Sequence, residues 1–215
     1  MTEHILSCLQ TRYPLTAIDA GEFARLKATG MTFTVRAFHA EGLGHVSVMR
    51  AVGFFGLMKM DTLIINPTEI DLPLYSYDRI FAMGNDTLIV ELYDTLVGHY
   101  DASSLAAAKE SYTDLEERDP GVHWYDSIKL PESISKKGKK PQTPRMDQLT
   151  KAHFDAYLNS CAAPVTDTAA KQAKSSYYVD GLLTRGGPST DVFKKGIGEE
   201  KTAELFRKIL FATEA

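Results

Sequence analysis

The tightest constraint on the fold of this chain is the run of period-two segments between residues 31 and 92, joined by turns too short for anything but hairpins. From Met31 onward, Phe33, Val35 and Ala37 alternate with Thr32, Thr34, Arg36 and Phe38, the spacing of a strand apolar enough to need cover on both faces. Gly42 to Gly44 makes a turn, 45–52 reads as a second strand, Gly53 to Gly56 turns again, and 58–65 is a third strand stopped by Asn66-Pro67. After a proline turn at 71–74, strands at 77–83 and 87–92 flank Gly84-Asn85-Asp86, residues that tolerate the positive φ of a hairpin. Five strands so closely joined are antiparallel, because a parallel pair needs a long crossover connection.

Helical patterns stand on either side of this meander. Short helices are expected at 3–10 and 19–27, the second capped by Asp19 and ending before Gly30. Beyond the sheet, 104–118 is rich in Ala, Leu and Glu and ends at Asp119-Pro120; 147–159, 167–183, a short helix capped by Thr190 and a closing helix at 199–211 follow. Between them, Lys136, Lys137, Lys139 and Lys140 with Arg145 read as a basic, proline-containing loop that projects positive potential. Helices before and after a two-faced sheet predict an α/β fold, a three-layer α/β/α sandwich around a central antiparallel sheet, as one domain over 1–215.

Composition narrows the function classes. A net charge of −4 has the wrong sign for a general nucleic-acid binder. The two cysteines, Cys8 and Cys161, lie far apart with no CxxC or Cys/His cluster, so neither a disulfide framework nor a zinc site is signalled and a reducing cytoplasm is the expected setting. The N-terminal segment lacks a basic start and a long apolar core, and no apolar run approaches the ~20 residues that span a bilayer. The chain therefore reads as cytoplasmic, with no membrane partner, and as a monomer.

No glycine-rich dinucleotide or phosphate loop, no H-E-x-x-H and no G-x-S-x-G is present. The six histidines show no metal-ligand spacing, although His39 and His45 fall on facing ends of one hairpin. The strongest chemical candidate is Asp78, in the run Asp71-Leu-Pro-Leu-Tyr-Ser-Tyr-Asp78. It follows a rigid proline turn and is flanked by Tyr75 and Tyr77, whose rings are expected to desolvate it and hold its proton to higher pH, as a proton donor requires. Arg50, Arg185 and the pair Tyr177-Tyr178 are candidates for gripping an acidic, planar ligand, through guanidinium forks and ring faces.

Two stretches resemble the ferredoxin-dependent bilin reductases, which reduce open-chain tetrapyrroles such as biliverdin, and their relatives the red chlorophyll catabolite reductases. The first runs from Asn66-Pro67 through DLPLYSYD, ending at Asp78, to LIVELYD, ending at Asp94; the second is the C-terminal TDVFKKGIGEEKTAELFRKILF. The LPES at 130–133 resembles the Leu-Pro element before that family's helical half. The likeness covers roughly residues 31–215, and the family's fold agrees with the one read from the patterning.

The resemblance implies an oxidoreductase without a bound cofactor. Electrons would arrive singly from ferredoxin or flavodoxin, pass to the bilin through radical intermediates, and be matched by protons, with Asp78 on the family's proton-donating aspartate. Tyr75, Arg50, Arg185 and Tyr177 would contact the bilin, and Lys136, Lys137, Lys139 and Lys140 would dock the acidic carrier. Two family positions differ: Thr62 stands where some members carry a histidine, five residues before the proline of the third strand. Gly186-Gly-Pro-Ser189 stands where others carry a second aspartate. His45 is the residue expected to substitute for the missing proton partner. A tetrapyrrole-binding protein that performs no reduction, and a reductase of an unrelated substrate on the same fold, are the alternatives.

Overall fold

A computed structural model describes residues 1–214. Its centre is one sheet of eight antiparallel strands: β1 (Leu15–Ile18), β2 (Arg25–Ala28), β3 (Met31–Ala40), β4 (Gly44–Gly53), β5 (Met58–Pro67), β6 (Leu74–Ala82), β7 (Asn85–Tyr93) and β8 (Ile134–Lys139). The order is β1-β3-β4-β5-β6-β7-β8, with β2 pairing the other half of β3. The hairpins predicted from 31 to 92 form in sequence order, so each strand lies beside the next. Their register is continuous: Arg50 pairs with Asp61, Asp61 with Arg79, Thr62 with Asp78 and Asp78 with Ile89.

Because side chains alternate between faces, the two-faced patterning demands a layer on each side, and both are present. One face presents Val46, Val48, Leu63, Tyr75, Tyr77, Leu88 and Val90 to α1 (Thr2–Arg12), α2 (Ser103–Glu110) and α3 (Thr143–Asn159). The other presents Phe33, Met49, Ile64 and Tyr93 to α4 (Thr168–Arg185), α5 (Pro188–Ile197) and α6 (Glu199–Glu204), which continues as a π-helical turn over Leu205–Leu210. Each large side chain buried in these layers stabilises the fold by roughly 1.5–3 kcal/mol relative to exposure. The α/β/α sandwich is thus the observed architecture. No helix among the described residues is long and apolar enough to cross a membrane.

Three local expectations are corrected. Residues 19–27 form only a single 3-10 turn, Gly21–Ala24, not a full helix; Asp19 accepts a hydrogen bond from the Gly21 amide at 2.8 Å in an Asx turn, and the chain then enters β2 as an edge partner of β3. There the pairing groups offered by β3 override a weak local helical pattern. The helix expected over 104–118 stops at Glu110, after which the Ser111 hydroxyl returns to the Ala107 carbonyl at 2.9 Å. The lysine segment is not a loop: it is β8, paired with β7 from Val90 to Asn85.

Candidate active site

Asp78 lies near the middle of β6, on the face covered by α4 to α6. It belongs to the floor of a cleft of about 290 Å³ between that face and the second helical layer. Met31, Met49, Met60, Ile64, Ile80 and Ile89 supply its apolar floor, and Phe193, Phe206 and Leu210 its helical wall. Burial pushes the Asp78 carboxyl up to about 6; the Thr62 hydroxyl, donating to Oδ1, pulls the other way, and the neighbouring Glu91 adds a like charge that raises it further. Near neutral pH this acid therefore holds an appreciable protonated fraction, about a tenth at pH 7.

Glu91 brings a second carboxylate to the same cleft. On β7 it pairs with Ser76, one diagonal step from Asp78. Its Oε2 accepts from the Tyr93 hydroxyl at 2.6 Å, and Oε1 lies 3.7 Å from the Lys129 ammonium. Tyr93 stacks on Tyr178 with centroids 4.0 Å apart, and Tyr125 meets Tyr93 edge-on at 5.7 Å. The segment 118–125 closes this side: Arg118 lines the cleft with a long contact to Ser135 Oγ at 3.4 Å, and His123 stacks on Tyr125 at 4.9 Å while donating through Nε2 to the Pro120 carbonyl at 2.8 Å. One end of the cleft is thus polar and aromatic, with two acids and a guanidinium, and the rest is apolar. That division suits a largely apolar ligand oriented by polar groups at one end.

No protein-family model matches the sequence, and no curated protein matches it significantly. Among solved structures the chain is similar to phytochromobilin synthase from tomato, crystallised in complex with biliverdin, with a TM-score of 0.77 over 99% of this chain and 82% of the tomato chain at 14% identity. The two proteins share a fold. Against phytochromobilin synthase the likeness is one of architecture, reached by a sequence almost entirely rewritten; the chemistry of the cleft rests on this chain's own residues.

Of the residues singled out in the sequence, Asp78 lines the cleft and most of the others do not. Tyr75 and Tyr77 point to the opposite face, because residues at odd spacing from Asp78 must. Tyr75 is fully buried there, 4.7 Å from Tyr157 and 5.8 Å from Phe154 by ring centroids. Burial first and the Glu91 charge second, not those rings, raise the Asp78 pKa. His45 lies on the cleft-side face of β4 but outside the cleft, since its Nε2 donates to the Ile209 carbonyl at 2.8 Å beneath the C-terminal turn. Desolvation there lowers its pKa, leaving a neutral structural imidazole. Arg50 is exposed on the other face beside Asp61, at 3.8 Å. Arg185 and Tyr177 sit on the outer side of α4, where the guanidinium lies 5.2 Å over the Trp124 ring and 5.7 Å over Tyr177. Tyr178, one residue on and rotated by a helical step, is the tyrosine that lines the cleft.

The two departures from the family pattern also find places. Thr62 pairs directly with Asp78 across β5 and β6 and is hydrogen-bonded to it. Gly187, Pro188 and Ser189 line the cleft without an acidic group. Lys136 is corrected outright: 2% exposed, it binds Glu117 at 2.5 Å and the Leu115 carbonyl at 3.2 Å, so it cannot meet a partner. Lys137, Lys139 and Lys140 remain at the surface at the end of β8. Glu91, Arg118 and His123 were not foreseen as cleft residues. Period-two counting back from Tyr93 would have placed Glu91 on the Asp78 face, whereas Arg118 and His123 come from an irregular segment with no sequence signal.

Proposed function

We propose that this chain reduces a linear tetrapyrrole of the biliverdin class with electrons from an external ferredoxin- or flavodoxin-type carrier. The observation that carries the reading is Asp78: a carboxyl group held near pKa 6 by burial, on the floor of an apolar cleft, in a fold shared with a biliverdin-bound enzyme. A conjugated ligand in that cleft displaces water and deepens the desolvation, moving Asp78 further toward its neutral form. The neutral acid then donates its proton to the ligand, and a protonated π-system accepts an electron more readily. Saturating one double bond takes two electrons, one from each of two carriers, and two protons. Asp78 supplies the first and, reprotonated from water between the two electron transfers, the second; the Glu91 carboxylate, fixed by the Tyr93 hydroxyl and Lys129, helps hold that proton on Asp78 through its like charge. Arg118 pairs with an acidic substituent of the ligand through charge-assisted hydrogen bonds.

A tetrapyrrole carrier without turnover is the second reading, favoured by the Gly187–Ser189 segment, which brings no acid to the cleft. One experiment separates the two. Biliverdin added to the protein should shift the visible spectrum, and anaerobic addition of photoreduced ferredoxin should then bleach and replace that spectrum. Asp78→Asn should keep the first change and slow the second by ~10²-fold or more, the usual scale of lost general-acid catalysis. A shift that persists unchanged on reduction establishes the carrier, and no shift at all removes both readings.

A further inference from the structure

The sheet ends in a surface that the cleft does not account for. One row of the register, Ala28, Met31, Gly53, Met58, Ala82, Asn85 and Lys139, brings the turns of three hairpins and the end of β8 to a common edge. Of the large hydrophobic side chains exposed on this molecule, most lie at this edge: Phe54 at 58%, Phe55 at 107%, Leu57 at 68% and Met83 at 79% of full exposure, with Val52 beside them. The two hairpin tips touch, the Met83 amide reaching the Leu57 carbonyl at 3.5 Å. Phe54 and Phe55 both hold left-handed backbone, at φ 51° and 55°, a conformation a bulky residue rarely adopts without a functional reason. Here it turns aromatic rings outward.

The turn segments that form this edge carry charge of one sign. The segments 26–32, 52–60, 81–85 and 137–142 contain Lys27, Lys59, Lys137, Lys139 and Lys140 and no Asp or Glu. Lys137 meets Glu116 at 3.1 Å and Lys139 meets the Asn85 side chain at 2.5 Å. Lys27, Lys59 and Lys140 form no ion pair among the described residues. An apolar centre rimmed by lysine on a net-acidic protein is the anatomy of a transient interface with an acidic partner. The surface also abuts the cleft: Leu57 is exposed on it, and the next residue, Met58, lines the cleft with Met31 and Ile80.

We infer that this turn edge, centred on Phe54, Phe55, Leu57 and Met83 and ringed by Lys27, Lys59, Lys139 and Lys140, is the docking surface for an acidic one-electron carrier protein. The inference rests on the reductase reading and gives it an entry point for electrons. Docking there sets the carrier's redox group against strand ends that form the cleft floor, so an electron leaves the reduced carrier and reaches the ligand across one or two residues of protein. The lysines steer encounter, and the phenyl rings hold the short-lived complex.

The test uses the biliverdin-loaded protein and two reductants, a photoreduced plant-type ferredoxin and the methyl viologen radical, which needs no docking surface. With ferredoxin at low ionic strength, a Lys59→Glu, Lys139→Glu, Lys140→Glu variant should be slowed ~10-fold or more, and the difference should shrink as salt is added. A Phe54→Ser, Phe55→Ser variant should be slowed with little salt dependence, and both should match the parent with methyl viologen. Equal ferredoxin rates in parent and variants would overturn the assignment. If neither reductant turns over the parent, the reductase reading has failed, and calorimetric titration with oxidised ferredoxin still decides the surface: binding lost in the lysine variant supports it, and binding absent or unchanged overturns it. Co-sedimentation with phosphatidylcholine and phosphatidylglycerol vesicles that depends on Phe54 and Phe55, without ferredoxin binding, overturns it in favour of a lipid surface.

Discussion

The buried carboxyl of Asp78 costs the fold stability, and the sign of that cost can be worked out. Its folded pKa of about 6 stands above the ordinary 3.8 because burial opposes the charge. Between those values the folded chain binds more protons than the unfolded one, so stability falls as pH rises through the window, and the full penalty is present above about pH 6. Asp78→Asn abolishes the penalty and keeps a partner for Thr62. The variant should be more stable than the parent by about 1–3 kcal/mol at pH 7.5, with most of that gain gone by pH 4, as read from urea midpoints at the two pH values. A gain that does not change with pH would mean the carboxyl is not held above its ordinary range. His153, buried on α3 and pushed down to about 4 by desolvation, works in the opposite direction: its contribution is lost as pH falls from 6.5 toward 4. It acts on parent and variant alike, so the difference between them isolates Asp78.

Among the elements, the C-terminal turn shows how polar side chains of the sheet complete a helix. A helix end leaves carbonyls without partners, and here three side chains of β4 and β5 supply them: His45 to the Ile209 carbonyl at 2.8 Å, Ser47 to Leu210 at 2.8 Å and Asn66 to Phe211 at 2.7 Å. Asn66 is itself oriented by the Ser175 hydroxyl of α4, which donates to its Oδ1 at 2.8 Å. Phe206, Leu210 and Phe211 carry the clamp into the cleft wall. Asn66→Ala leaves a buried carbonyl unpaired and should cost about 1–3 kcal/mol, with faster amide exchange concentrated in 205–213; unchanged exchange there would deny the clamp. The Asn66-Pro67 stop was legible in the sequence, as were the five hairpin strands and the helices from 143 onward, because period and turn chemistry are local signals. The partners of Asn66 and His45 were not, since they lie about 145 and 164 residues away and depend on tertiary docking. The misplacement of Tyr75 has a different origin: alternation along β6 already assigned it to the face opposite Asp78. β8 was hidden because Lys136, Lys137, Lys139 and Lys140 carry strong charge and little strand propensity, and only the open edge of β7 makes a strand of them.

At the scale of the molecule, the two helical layers do different work. The layer of α1, α2 and α3 packs tightly on its face, and the buried ion pair of Arg79 with Asp86, at 2.5 Å, anchors the start of α3 through Thr143, whose hydroxyl donates to Asp86 at 2.5 Å. The layer of α4 to α6 instead stands over a cleft and is fastened at the Pro67 end of the sheet, by Lys171 to Asp71 at 3.1 Å and by the C-terminal clamp, whose Asn66 also meets Ser175 of α4. A ligand in the cleft therefore joins the sheet to the second layer and leaves the first untouched. Ligand that binds only the folded form stabilises it by RT ln(1 + [L]/Kd), about 2.7 kcal/mol at a hundredfold excess over Kd. Biliverdin at that excess should slow amide exchange at 178–193 and 205–211 by up to about a hundredfold. Amides of α1 and α3 that exchange through local opening should keep their rates. Protection of the first layer alone would place the ligand away from Asp78, and protection confined to the second would tie the cleft, its acids and its clamped wall into one binding unit.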